Sequence, residues 1–239
     1  YKDIQCGAPA RRGIADSDGN GHPVCTRTAR QYIPDKAIRP ANRRQRGLSS
    51  GQTRKQPIQK RTMRIISGKY KGRAINPPHN LRARPTTDFA KENLFNVLNN
   101  IVDFEACDVL DLFAGTGSIS YEFASRGARS VTAVELNPVH YNFIRQTAAQ
   151  LGLEHFYPVK ANVFRYLITC PKQFDLIFSD APYDLPESET IVSTIFERQL
   201  LHPEGLLVFE HSKQMDFSDR SEFWQLRSYG SVQFSFFKN

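Results

Sequence analysis

Three short segments carry side chains whose types and spacing could do chemistry together: Asp111-Leu112-Phe113-Ala114-Gly115-Thr116-Gly117, Glu135-Leu136, and Ser179-Asp180-Ala181-Pro182-Tyr183. In the first, Gly115 and Gly117 let the backbone turn sharply and approach a ligand within contact distance. Glu135 follows Gly117 by 18 residues, an interval at which a carboxylate can accept both hydroxyls of a ribose. Together they point to a nucleoside ligand. A dinucleotide would seat its pyrophosphate on the glycine turn, where the Asp111 carboxylate repels it, and the third glycine position is Ser120. S-adenosylmethionine has no phosphate, and its sulfonium and α-ammonium are both drawn to an acidic strand end by Coulomb forces and charge-assisted hydrogen bonds. Electrostatics therefore favour the sulfonium cofactor over that of an NAD-dependent oxidoreductase. Asn162 stands where it can meet an adenine edge, or equally cap a helix.

The third segment fits methyl transfer to an aromatic amine. Such a nitrogen is a poor nucleophile because its lone pair is delocalised into the ring. Two acceptors that take its N–H bonds pyramidalise it and aim the lone pair at a methyl group, which is catalysis by orientation and electrostatics. The Asp180 carboxylate and the Ala181 carbonyl are suitable acceptors, and Pro182 restricts the residue before it to extended geometry. Tyr183 can stack on a base swung out of its helix.

These segments have to be carried by strand ends. From Asp108 onward short apolar runs alternate with helical patterns. The expected strands are Val109–Phe113, Val131–Glu135, Tyr157–Lys160, Phe174–Ser179 and Leu206–Glu210, then 226–229 and 231–237. Helices are expected near 117–126, from Asn137-Pro138 to Leu151, over 163–169 and near 188–200. This alternation implies an α/β fold with a parallel sheet covered on both faces. A closing antiparallel pair brings it to seven strands. Upstream, Arg64 to Ile75 reads as a basic hairpin punctuated by glycines. Thr86 or Thr87 can cap a helix over about 88–101, with Leu94, Val97, Leu98 and Ile101 at helical spacing.

The chain has 239 residues and net charge +8, yet residues 1–62 alone carry net +10 and the remainder −2. That first quarter has few aliphatic or aromatic residues and no period, so it is expected to be a disordered basic tail. Met63 is the expected natural start, with residues 1–62 an artificial or upstream-translated extension. Their deletion is expected to leave the thermal midpoint and activity unchanged, and a large loss of either would show a structural tail. Division into an extension over 63–102 and a catalytic domain over 103–239 follows from the change of pattern. The four cysteines are far apart and the six histidines show no ligand spacing. No disulfide framework, cysteine-rich zinc site or other metal is expected, and a cytoplasmic location is. No run approaches the roughly 20 apolar residues of a membrane helix.

From Met63 on, the chain resembles the RsmD-type 16S ribosomal RNA guanine-N2 methyltransferases, within the class I S-adenosylmethionine-dependent superfamily. The carriers are Arg64-Ile65-Ile66-Ser67-Gly68, Gly72-Arg73, Arg84-Pro85-Thr86-Thr87-Asp88, Glu92-Asn93-Leu94-Phe95-Asn96, Asp111 to Gly117, Glu135 and Asp180 to Tyr183. The resemblance implies a Rossmann-like seven-stranded sheet preceded by a basic hairpin and helix. Arg84, Pro85 and Thr86 would then lie over the methionine end of S-adenosylmethionine. Asp111, Phe113, Ala114, Gly115 and Gly117 would line it, Glu135 and Leu136 would hold the ribose, and Asn162 and Val163 would meet adenine. Asp180, Ala181, Pro182 and Tyr183 would form the target-amine site. Arg64, Lys69, Lys71 and Arg73 would contact phosphates of 16S ribosomal RNA in the small subunit or its assembly intermediate. A monomer is expected. One departure is Ala181, where the family usually has a proline, so positioning there is expected to be looser. Relatives acting on adenine N6 or a glutamine amide more often begin this motif with Asn, which Asp180 disfavours. For a non-catalytic RNA-binding module, Asp180 would have no role.

Overall fold

The computed structural model describes residues 62–78, 81 and 87–239. The expected tail up to residue 61, and the expected cofactor contacts Arg84, Pro85 and Thr86, lie outside the described residues.

A small antiparallel hairpin, β1 (Met63–Arg64) and β2 (Ala74–Ile75), opens the described chain. Helix α1 (Asp88–Leu98) follows, with Thr87 as its cap, the side chain accepting from the Ala90 amide. It stops three residues before the expected end, at Asn99-Asn100, whose amides turn back to Phe95 and Val97 carbonyls.

Five parallel strands then alternate with helices: β3 (Asp108–Leu112), α2 (Ser118–Ser125), β4 (Ser130–Glu135), α3 (Pro138–Leu151), β5 (Phe156–Lys160), α4 (Val163–Thr169), β6 (Phe174–Asp180), α5 (Ser188–Glu197) and β7 (Leu201–His211). Strands β8 (Phe223–Tyr229) and β9 (Val232–Lys238) close the sheet antiparallel, giving the order β5-β4-β3-β6-β7-β9-β8. The seven strands match the expected number. β7 starts five residues early because Leu201 already pairs with Phe174; the chain then bulges over 202–205, with Glu204 at φ 63°, before Leu206 pairs with Leu176.

Leu110, Ile177 and Leu207 on one face and Val109, Leu176 and Val208 on the other are wholly buried, as central strands covered on both faces require. One core cluster joins the sheet to α1, α2 and α3, and takes in Met63, Ile65 and Ile75 of the hairpin. The other joins it to α4 and α5. Strand order reverses between β3 and β6, so the carboxyl ends of these two strands and of β4 flank a crevice. All three chemistry-bearing segments sit there.

Candidate active site

The turn after β3 is tightly wound. Phe113 and Gly115 have φ 60° and 56°, and Gly117 has φ 82° as the cap of α2. A left-handed phenylalanine costs on the order of 1 kcal/mol or more, a strain that clusters at binding sites. Gly117 tolerates no side chain, since a Cβ would lie 2.5 Å from the Tyr121 ring. Asp111 is 1 % exposed and accepts a hydrogen bond from the Ser120 hydroxyl. Burial pushes its carboxyl up to about 7, against the Ser120 hydrogen bond and with added repulsion from Asp180 and Glu135.

Glu135 ends β4 with both oxygens fixed. Oε2 accepts from the Gly115 amide at 2.8 Å and Oε1 from the Asn137 amide at 2.7 Å. The glycine turn and the second strand end are thereby tied by one carboxylate, which keeps lone pairs for ligand hydroxyls. Asn137 in turn caps α3, its Oδ1 accepting from the Val139 amide at 2.8 Å. Asn162 resolves as the cap of α4, accepting from the Arg165 amide at 3.2 Å, while still lining the cavity.

At the end of β6, Asp180 is half-buried and Ala181 only 2 % exposed. The Leu185 amide donates to the Pro182 carbonyl at 3.0 Å, closing a turn that holds the loop. Tyr183 is 47 % exposed, and its hydroxyl donates to Glu210 Oε1 at 3.3 Å. Glu210 is the register partner of Asp180 at the end of β7 and is buried. Nothing in the sequence motifs singled it out; its signal was being a carboxylate at the end of the adjacent parallel strand.

A cavity of about 860 Å³ joins these groups. Asp111, Phe113, Ala114, Gly115, Glu135, Leu136, Asn162, Val163, Asp180, Ala181, Pro182 and Tyr183 all line it. Thr87, Ser118, Asn137, His140, Phe164, Leu185 and Glu210 line it too and were not anticipated. Gly117 does not reach its wall: the left-handed cap places it beneath the turn, against Tyr121. Arg64, Lys69, Lys71 and Arg73 are exposed on the hairpin and stand apart from the cavity lining, with Arg64 Nε 3.2 Å from Asp88 Oδ2. Among the described residues no group of His, Cys, Asp and Glu could hold a metal ion. Cys107 and Cys170 are buried, and Cys107, its thiol pushed up to about 11 by burial, is no nucleophile.

A seven-stranded sheet in this order, with an acidic and glycine-rich crevice at its switch point, is the fold of a class I methyltransferase. The Thermus thermophilus 16S rRNA N2 methyltransferase, solved with AdoMet and guanosine, shares this fold at TM-score 0.59 and 17 % identity, over 74 % of this chain and 49 % of that one. Residues 63–238 match the family described as Conserved hypothetical protein 95. Ribosomal RNA small subunit methyltransferase D of Haemophilus influenzae is 32 % identical over 161 residues, covering 66 % of this chain and 82 % of that protein. The protein of the same name from Buchnera aphidicola (subsp. Baizongia pistaciae) is 28 % identical over 155 residues, covering 65 % and 79 %. The chain belongs to this methyltransferase D family.

Proposed function

We propose that this protein methylates the exocyclic N2 of a guanine in small-subunit ribosomal RNA with S-adenosylmethionine, acting as a cytoplasmic monomer. The observation that carries the reading is one cavity shared by two strand ends suited to a cationic nucleoside and a third suited to an aromatic amine.

The residues present fit the cofactor. The backbone at Gly115 carries no side chain to obstruct a ligand, Glu135 is aimed between both strand ends, and Asp111 supplies a buried acceptor for an ammonium group. Bound S-adenosylmethionine supplies a methyl group on a sulfonium sulfur, which is the leaving group. Asp111 would hold the ammonium, Glu135 the ribose hydroxyls, and Asn162 with Val163 the adenine. Asp180 and the Ala181 carbonyl accept the two N–H bonds of the target amine, so that its lone pair faces the donor. Tyr183 stacks on the displaced base and keeps water from it. The exposed Arg64, Lys69, Lys71 and Arg73 hold RNA phosphates, contributing affinity and little sequence choice.

Mapping the nucleotide methylated in vitro, on small subunits lacking endogenous modification, tests the proposal. One N2-methylguanine in the small-subunit RNA is the expected product. Label in adenine or in protein would defeat the reading.

Cofactor affinity should depend on pH through Asp111. Its carboxyl, raised to about 7, is neutral at low pH and attracts an ammonium only once ionised. Affinity for S-adenosylmethionine is therefore expected to rise about tenfold between pH 5.5 and 7, as the proton leaves Asp111. Calorimetric titration at the two values measures this, and Asp111→Asn should flatten the profile. An equally steep profile in that variant would assign the effect to another group.

A further inference from the structure

We propose that Glu210 accepts the N1–H of the target guanine and thereby makes the site select guanine over purines whose N1 carries no hydrogen. This inference deepens the guanine-N2 reading and rests on it.

Asp180 and Glu210 are in register at the carboxyl ends of neighbouring parallel strands. Their side chains leave the same face of the sheet, about 4.8 Å apart at the backbone. Both line the cavity, and Glu210 is 4 % exposed. On guanine, the N1–H and the N2 amine are adjacent donors on one edge of the ring. An acceptor placed for an N2 hydrogen at Asp180 therefore has the N1 hydrogen directed at the neighbouring strand end, where Glu210 stands. A carboxylate accepts up to about four hydrogen bonds, so receiving the Tyr183 hydroxyl at 3.3 Å and receiving a base N–H are compatible. The Tyr183 contact also ties the stacking ring to the group that reads the edge, fixing the base in its plane and along it. An adenine-like edge presents a lone pair at N1. Facing a buried carboxylate, that lone pair leaves an acceptor against an acceptor, the mismatch that sites built for hydrogen bonding reject most strongly.

The test uses the full chain and small subunits carrying either guanine or 2-aminopurine at the mapped position. 2-Aminopurine keeps the N2 amine and lacks the N1 hydrogen. The wild type is expected to methylate guanine at least about tenfold faster. In Glu210→Gln the amide can donate to the bare N1, so the preference should narrow about tenfold, guanine slowing while 2-aminopurine holds or gains. Glu210→Asp, which keeps the carboxylate, should be slower yet retain the preference. Tyr183→Phe should lower the rate without moving the ratio more than about twofold. Equal use of both bases by the wild type would overturn the proposal. So would an equal loss on both bases in Glu210→Gln, which would make Glu210 a positioning residue for Tyr183. If the wild type labels neither guanine nor 2-aminopurine, the guanine-N2 reading itself fails, and this inference with it.

Discussion

Asp180→Ala is expected to reduce methyl transfer by about a thousandfold or more, while changing S-adenosylmethionine affinity less than about threefold. The magnitude follows from what the carboxylate does. It takes one of the two N–H bonds that localise the amine lone pair, and it offers a charge to the proton that this nitrogen must shed after transfer. Alanine leaves the Ala181 carbonyl as the lone acceptor, which cannot alone pyramidalise the nitrogen or hold its direction. Binding is spared for an electrostatic reason. Asp180 repels Asp111 and helps keep the latter's carboxyl near 7. Removing Asp180 favours ionised Asp111, so the ammonium end is held no less well at neutral pH. Asp180→Asn, which keeps one acceptor oxygen without the charge, should fall between the two. Tritium transfer from labelled cofactor to ribosomal RNA, beside calorimetric affinity, decides the matter. Activity within tenfold of wild type would remove Asp180 from the mechanism.

The parts legible in the sequence were those set by local pattern. Apolar runs that must be buried on both faces, such as Val109 to Leu112 and Leu176 to Phe178, announce a parallel sheet by composition alone. Strand ends with Asp111, Glu135 and Asp180 follow, because polar punctuation marks where those runs stop. Boundaries were less legible where pairing outlasts propensity. β7 takes in Leu201 because Phe174 of β6 pairs with it ahead of the bulge at Pro203-Glu204-Gly205, a fact of the neighbour and not of the segment. Glu210 was missed for the same reason: an acid ending an apolar run has no mark until register sets it beside Asp180. The looseness expected at Ala181 meets a countervailing constraint, since that residue is 2 % exposed within the second core cluster. Packing there limits the residue from the side-chain direction, where a proline ring would limit it through φ. Asn162 shows the converse, since its capping bond to Arg165 left the cavity contact intact.

The largest stability effect should come from a residue outside the site. Glu122 on α2 is wholly buried and accepts from the Ile66 and Ser67 amides at 2.9 and 3.0 Å, binding the hairpin to the domain. Arg126 Nη2 lies 3.0 Å and Lys91 Nζ 3.9 Å from its carboxylate. Lys91 is itself 1 % exposed, and burial holds its ammonium below the usual lysine range despite the attraction of Glu122. Removing one member of a buried ionic group costs about 3–5 kcal/mol, because the partners stay buried without their counter-charge. Glu122→Ala is therefore expected to lower the thermal midpoint by about 10 °C, at 2–4 °C per kcal/mol for a domain of this size. The contrast is Arg129, which bridges Asp108 and Asp175 at 2.6 and 3.0 Å yet is half exposed, so water replaces most of what its removal takes away. The effect of Glu122 should also reach the site. Lys91 Nζ donates to the Arg64 carbonyl at 2.8 Å and to Ser118 Oγ at 3.2 Å, and Ser118 opens α2 on the cavity wall. Loss of amide protection at Ile66 and Ser67, with weaker cofactor binding, should accompany the lower midpoint. A midpoint within about 2 °C of wild type would mean that the hairpin is held without Glu122, by the burial of Met63, Ile65 and Ile75 and by the bonds of the Lys69 and Tyr70 amides to Ser125.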